Sequence, residues 1–241
     1  MGGSPARPGT DASKPPSTQR LSLTDVYLLL YNTACAVGWN LTMYKIGTAL
    51  LEGGGVRDAV NATHDLVVAL QLLSTLELVH AFAGLVRSSP MNIFMQVGGR
   101  DLALFSVVTA FPPVRDSPWV LVMFSAWATS EVIRYPFYAL SIAGMCPPLL
   151  HWLRYTVFIA LYPLGFAGEL GTWIVGLPHI KAVGLPDVPG LPEGSSMYAL
   201  YAYIVAAFVL GAPKLYMHMI RQRSKQLGGT ASAGGEKVKA S

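Results

Sequence analysis

Leu153-Arg-Tyr-Thr-Val-Phe-Ile-Ala-Leu-Tyr-Pro-Leu-Gly-Phe-Ala-Gly-Glu-Leu-Gly-Thr172 lies in an apolar context long enough to enter a bilayer, yet it carries Arg154, Tyr155, Tyr162 and Glu169. On a helix, the seven-residue step from Tyr162 to Glu169 turns about 700° and rises about 10.5 Å, so the two share one face two turns apart. Gly165 falls between them on that face. Long helical side chains lean toward the N-terminus, so Glu169 leans toward Tyr162 over the space that Gly165 leaves open. The spacing predicts a small site there.

The same face extends both ways as His151, Tyr155, Phe158, Tyr162, Gly165, Glu169 and Thr172, at alternating steps of four and three. A carboxyl group in an apolar segment is costly, and it faces a bundle interior or a cavity and marks function by default. The plainer alternative is that Glu169 pairs with a neighbouring helix's arginine or lies at the interface. Pro163 removes one backbone bond beside Tyr162 and predicts a kink, which membranes tolerate where neighbours satisfy the freed carbonyl.

The whole chain supports a bilayer setting. Of its 241 residues 52% are hydrophobic and only 12% charged, against about 25% charged in soluble domains. The net charge of +4 is spread over tails and connections rather than gathered in a patch, which argues against nucleic-acid binding. Cys35 and Cys146 offer neither a disulfide framework nor a CxxC motif, and His64, His80, His151 and His179 have no ligand spacing, so no metal is expected. Residues 1–24 are rich in Pro, Ser, Gly and Thr, without the apolar core of a signal peptide, and read as a disordered tail.

The predicted fold is an all-α, polytopic membrane helix bundle of six transmembrane helices over 25–220, followed by a basic, flexible tail over 221–241. The spans fall at about 26–44, 66–86, 91–114, 119–144, 149–176 and 197–219, with Ser22 or Thr24 capping the first. The third is the weakest, because Gly98-Gly-Arg-Asp101 interrupts it. Phe111-Pro-Pro-Val-Arg-Asp-Ser-Pro118, Cys146-Pro-Pro148, Leu177-Pro178 and the Pro/Gly-rich stretch 184–194 are breakers. Six spans put both termini on one side, and the Lys/Arg bias makes that side cytosolic.

Two other spans carry polar stripes. Trp127, Glu131, Arg134, Tyr135 and Tyr138 recur at threes and fours; Glu131 and Arg134 can pair within the helix, and Arg134 and Tyr135 can also face the Tyr162 cavity, with Arg134 free for an anionic group. Glu77 and His80 read as structural, pairing with Arg100 or each other. Val79-His-Ala-Phe-Ala-Gly-Leu-Val-Arg-Ser88 follows the tyrosine-phosphatase pattern H-C-x-x-G-x-x-R-S/T, but Ala81 stands where the nucleophilic cysteine is needed, so no phosphoenzyme can form.

Taken together, Tyr27-Leu-Leu-Leu-Tyr-Asn32, Leu76-Glu-Leu-Val-His80, Gly84-Leu-Val-Arg-Ser88, Trp127-Ala-Thr-Ser-Glu-Val-Ile-Arg-Tyr135, Trp152-Leu-Arg-Tyr155, Leu161-Tyr-Pro-Leu-Gly165 through Glu169, and Leu177-Pro-His-Ile-Lys181 resemble the very-long-chain 3-hydroxyacyl-CoA dehydratase family, also called protein-tyrosine-phosphatase-like proteins, and most closely its plant PASTICCINO-type members. The resemblance implies an endoplasmic-reticulum enzyme that converts (3R)-3-hydroxyacyl-CoA to trans-2-enoyl-CoA and water without a cofactor, alongside the condensing enzyme and the ketoacyl-CoA and enoyl-CoA reductases of fatty-acid elongation. Its catalytic tyrosine and glutamate map onto Tyr162 and Glu169, with the acid and base assignment open. Tyr135 and Tyr155 are then candidates for supporting the acyl-CoA substrate, and Arg134 and Arg154 for its phosphates. The competing class is a non-catalytic membrane adaptor that binds elongation or phosphorylated partners.

Overall fold

The computed structural model describes residues 21–86, 89–186, 189–190 and 192–235, with backbone alone for 225–235. The expected tail over 1–24 lies outside these residues up to position 20, as do Arg87 and Ser88 of the phosphatase-like stretch and the last six residues of the chain. Among the described residues every regular element is helical: α1 (Leu23–Leu51), α2 (Val56–Phe82), α3 (Pro90–Ala103), α4 (Pro118–Ile142), α5 (Pro148–Arg154), α6 (Phe158–Val183), α7 (Ser195–Val205) and α8 (Ala212–Gly235). Three stretches, Val56–Phe82, Phe158–Val183 and Ser195–Ser224, are long and apolar enough to cross a membrane.

Local chemistry sets the ends. Ser22 caps α1 by accepting from the Asp25 amide at 3.1 Å while Asp25 takes the Ser22 amide at 2.9 Å, a reciprocal box that satisfies otherwise orphaned donors. Gly144 after α4 and Gly184 after α6 stop their helices at φ 69° and 78°, a conformation other residues adopt with strain. Pro118 and Pro148 open α4 and α5, where a missing N–H costs nothing.

Four boundaries differ from the sequence reading. Gly98-Gly-Arg-Asp101 does not interrupt its helix: the fourteen-residue α3 runs through it into a six-residue π turn, Leu104–Thr109, whose Leu104, Val107 and Val108 are fully buried. Burial outweighs the weak helix propensity of two glycines. The segment expected as one helix from about 149 to 176 is broken at 155–157, where Tyr155 and Thr156 bond back three residues instead of four. That separates His151 and Tyr155 from the helix that carries Tyr162. Conversely α6 runs past Pro178 to Val183, because Pro178 lies on the exposed side and costs one bond rather than the helix. Likewise α8 continues to Gly235 through the stretch read as a tail.

The core gathers around α4, which packs on α1, α2 and α6. Its Met123, Phe124, Trp127, Glu131 and Tyr135 are almost entirely buried, together with Trp39 of α1 and Trp173 of α6. Close approach of α6 to α4 depends on small residues, the usual device where lipid gives no hydrophobic push between helices. A Cβ on Gly168 would meet the Met123 backbone nitrogen at 2.7 Å, and one on Gly171 would run into the Trp119 ring. Gly165 also faces α4 rather than an empty space, but a Cβ there would meet Ala126 at an ordinary 3.7 Å.

These contacts predict opposite signs for two similar changes. Gly168→Ala should destabilise the detergent-purified protein by about 1–3 kcal/mol, because the clash is with backbone. Gly165→Ala should be neutral or stabilising by up to about 1 kcal/mol, through helix propensity alone. Thermal melts of the two variants beside the parent check the difference.

Candidate active site

Tyr162 and Glu169 stand one and three turns into α6, both partly buried. Glu169, partly buried, accepts a hydrogen bond from the indole nitrogen of Trp127 on α4, with 2.8 Å between Nε1 and Oε1. The Arg100 guanidinium of α3 lies over the same indole, 5.3 Å from the ring centre. Tyr162 is directed to α8: its hydroxyl donates to the Ala212 carbonyl at 3.4 Å and its ring stacks on Tyr216 at 5.5 Å. Phe166 lies against Tyr162, with ring centres 4.6 Å apart. The two groups therefore contact different neighbours.

The proline beside Tyr162 has a structural consequence. Without an N–H on Pro163, the Ile159 carbonyl loses its intrahelical donor, and the Tyr216 hydroxyl of α8 donates to it at 3.3 Å. The repair also fixes Tyr216 for stacking on Tyr162, so the proline and the phenol share one neighbour.

Arg134 and Tyr135, expected beside the same cavity, are held elsewhere. Arg134 makes a bidentate pair with Glu77 of α2, at 2.6 and 2.8 Å, and gives its Nε–H to Glu131. Tyr135, with no exposure, donates to Glu77 at 2.6 Å. The guanidinium faces two carboxylates already, which leaves it poorly placed for an anionic ligand. The expected pairing of Glu131 with Arg134 is present, and Glu131 also takes Arg100 at 2.5 Å. Glu77 pairs with Arg134 rather than Arg100, and His80 meets the Tyr27 hydroxyl at 2.8 Å. His64 is buried between Asp65 and Thr109.

Arg154 and Tyr155 form a separate cluster at the break between α5 and α6. Arg154 donates to the Tyr138 hydroxyl at 3.3 Å, while Tyr155 lies against His151 and Phe137. Arg154 has no carboxylate partner among the described residues. The described part of the phosphatase-like stretch, residues 79–86, is the end of α2 and a turn at Ala83–Val86, with Ala81 buried. No group of three or more potential metal ligands occurs among the described residues.

Fold and site together define an all-helical protein with three helices apolar enough to cross a membrane, one of which carries both a phenol and a carboxylate. Residues 71–229 match the family model described as protein tyrosine phosphatase-like protein, PTPLA, and the chain belongs to that family. It is 33% identical over 212 residues to very-long-chain (3R)-3-hydroxyacyl-CoA dehydratase 2 of Homo sapiens, covering 86% of this chain and 83% of that protein. It is 34% identical over 210 residues to very-long-chain (3R)-3-hydroxyacyl-CoA dehydratase PASTICCINO 2 of Arabidopsis thaliana, covering 84% and 93%. The corresponding dehydratase hpo-8 of Caenorhabditis elegans is 34% identical over 207 residues, covering 84% and 95%. No solved structure matches the chain.

The ion network and the Arg154 cluster should respond differently to mutation. Arg134→Ala strips Glu77 of its guanidinium partner inside the bundle and should cost about 3–5 kcal/mol, seen as a large fall in melting temperature or in folded yield. Arg154→Ala, at a partly exposed site without an ion pair, should cost no more than about 1 kcal/mol.

Proposed function

We propose that this chain is a hydro-lyase that dehydrates (3R)-3-hydroxyacyl-CoA to trans-2-enoyl-CoA, the third step of very-long-chain fatty-acid elongation, with Tyr162 and Glu169 as its catalytic residues. The observation that carries this reading is their placement: a phenol and a carboxylate seven residues apart on α6, the carboxylate held by Trp127 of α4 and the phenol against Ala212 and Tyr216 of α8, on a chain similar to proteins named for that reaction.

Elimination requires a base for the C2 proton, only weakly acidic beside the thioester, and an acid for the C3 hydroxyl. Glu169 acts as an acceptor in the structure and Tyr162 as a donor. In the proposed step Glu169 takes the C2 proton, the C2–C3 double bond forms, the C3–O bond breaks and Tyr162 gives its proton to the departing oxygen, which leaves as water. The proton held by Glu169 then restores the phenol, so nothing but water is lost.

The helix lengths support the proposed membrane placement. α1, of 29 residues, and α4, of 25, exceed the roughly 30 Å of hydrocarbon at about 1.5 Å per residue; their polar residues Asn32, Thr42 and Glu131 point inward. With α3 and its π turn as a further crossing, they join the three apolar helices to make six spans, with cytosolic termini in the endoplasmic-reticulum membrane. Tyr162 then lies one turn, and Glu169 three turns, below the cytosolic end of α6. That depth suits a substrate whose CoA stays in water while its first acyl carbons enter. Arg154 and Tyr155, at that same end, are the proposed contacts of the CoA phosphates, and Arg134 and Tyr135 support the bundle behind them. The condensing enzyme and the two reductases of elongation are the proposed partners. An adaptor would need a recognition site of its own, and the phosphatase-like stretch is spent on the end of α2.

Purified Tyr162→Phe and Glu169→Gln proteins, given a (3R)-3-hydroxyacyl-CoA and followed by enoyl product, should each lose at least about a hundredfold in rate while melting like the parent. Full activity in either variant would remove that residue from the chemistry.

A further inference from the structure

The Glu169 carboxylate has one hydrogen-bond donor among the described residues, and it comes from a neighbouring helix. Trp127 is 2% exposed, wedged in the core beside Phe124, so its indole has no freedom to turn away. Arg100 lies over the same ring and is itself tied to Glu131, which is 1% exposed, at 2.5 Å. Ring, cation and carboxylate thus form a fixed stack: Glu131 holds Arg100, Arg100 sits on Trp127, and Trp127 holds Oε1 of Glu169. A cation over an indole face is attracted by the ring's negative π cloud, so the stack is cohesive as well as packed.

A carboxylate on two flexible side-chain carbons has several rotamers, and a base works only when one oxygen is held toward the proton it removes. From this arrangement we infer that Trp127 is a positioning residue for Glu169: its N–H engages Oε1, selects one rotamer, and leaves Oε2 as the oxygen that meets the substrate. The inference rests on the dehydratase reading above and adds a residue to it. Trp127 does not touch the reacting atoms. It acts through the carboxylate.

The test is a set of single substitutions in the full-length protein, assayed with a (3R)-3-hydroxyacyl-CoA. Trp127→Phe keeps an aromatic ring for Phe124 and Arg100 but has no N–H. It should lower kcat about ten- to hundredfold, as expected for loss of a hydrogen bond to a charged group, with KM within about twofold and a melting temperature near the parent's. Trp127→His restores an N–H at the corresponding ring position while filling less of the core. It should recover part of kcat over Trp127→Phe in spite of poorer packing, an order that a purely structural role would reverse. A Trp127→Phe protein with parental kcat overturns the inference. So does one whose kcat, KM and melting temperature deteriorate together, or a folded Trp127→His protein slower than Trp127→Phe. If Trp127→His does not fold, the kcat against KM split in Trp127→Phe decides alone. Glu169→Gln in the same assay separates the two levels: an inactive Glu169→Gln beside a fully active Trp127→Phe leaves the dehydratase reading intact and removes only the role of Trp127.

Discussion

Four charges inside the bundle hold the rest in place. Glu77 of α2, Arg134 and Glu131 of α4 and Arg100 of α3 alternate in sign along one chain of contacts. Each charge alone would be prohibitive away from water, and removing any one leaves a neighbour uncompensated. As a neutral set with Tyr135 donating to Glu77, their hydrogen-bonding groups meet one another. The requirement that they meet fixes the rotation of three helices about their axes, because a guanidinium that pairs at two oxygens accepts little angular error. Arg100 is the end of that chain. Its position over Trp127 carries the constraint from the structural network to the carboxylate on α6.

The opposite side of α6 is built differently. Where α4 meets α6 through glycines and backbone, α7 and α8 meet it through rings: Phe208 on Phe166, Tyr216 on Tyr162, Tyr203 on Trp173. Between α7 and α8 the chain makes a π turn at Ala206–Gly211, a local widening of the helix of the kind often found at functional sites. Glu169 thus leans on α4 through the Trp127 indole, and Tyr162 on α8 through its ring and hydroxyl.

That Tyr162 and Glu169 stand two turns apart on one helix was legible in the sequence, because a seven-residue step is a property of one helix and needs no knowledge of its neighbours. The Glu131–Arg134 pair was legible for the same reason, being a contact within one helix. Contacts between helices were not. Nothing in the spacing says that Glu77 would take Arg134 in preference to Arg100, or that Trp127 would reach Glu169, since both depend on the rotation of one helix against another. The break at 155–157 left no mark because a turn bonded three residues back needs neither glycine nor proline. Gly98-Gly99 misled in the other direction: the pair marks a breaker in water, but a helix whose next turn buries Leu104, Val107 and Val108 absorbs it.

Pro163 shows how such a helix keeps a defect at its working end. The proline leaves the Ile159 carbonyl without its intrahelical donor, and in an apolar setting that carbonyl must find another donor. Tyr216 supplies it from α8, and the same ring then stacks on Tyr162. Without Pro163 the Ile159 carbonyl would have its own helical donor and no need of Tyr216, and Tyr162 would lose a fixed partner for its ring. The missing N–H, its replacement from α8 and the stacking of the Tyr162 ring are therefore one structural fact.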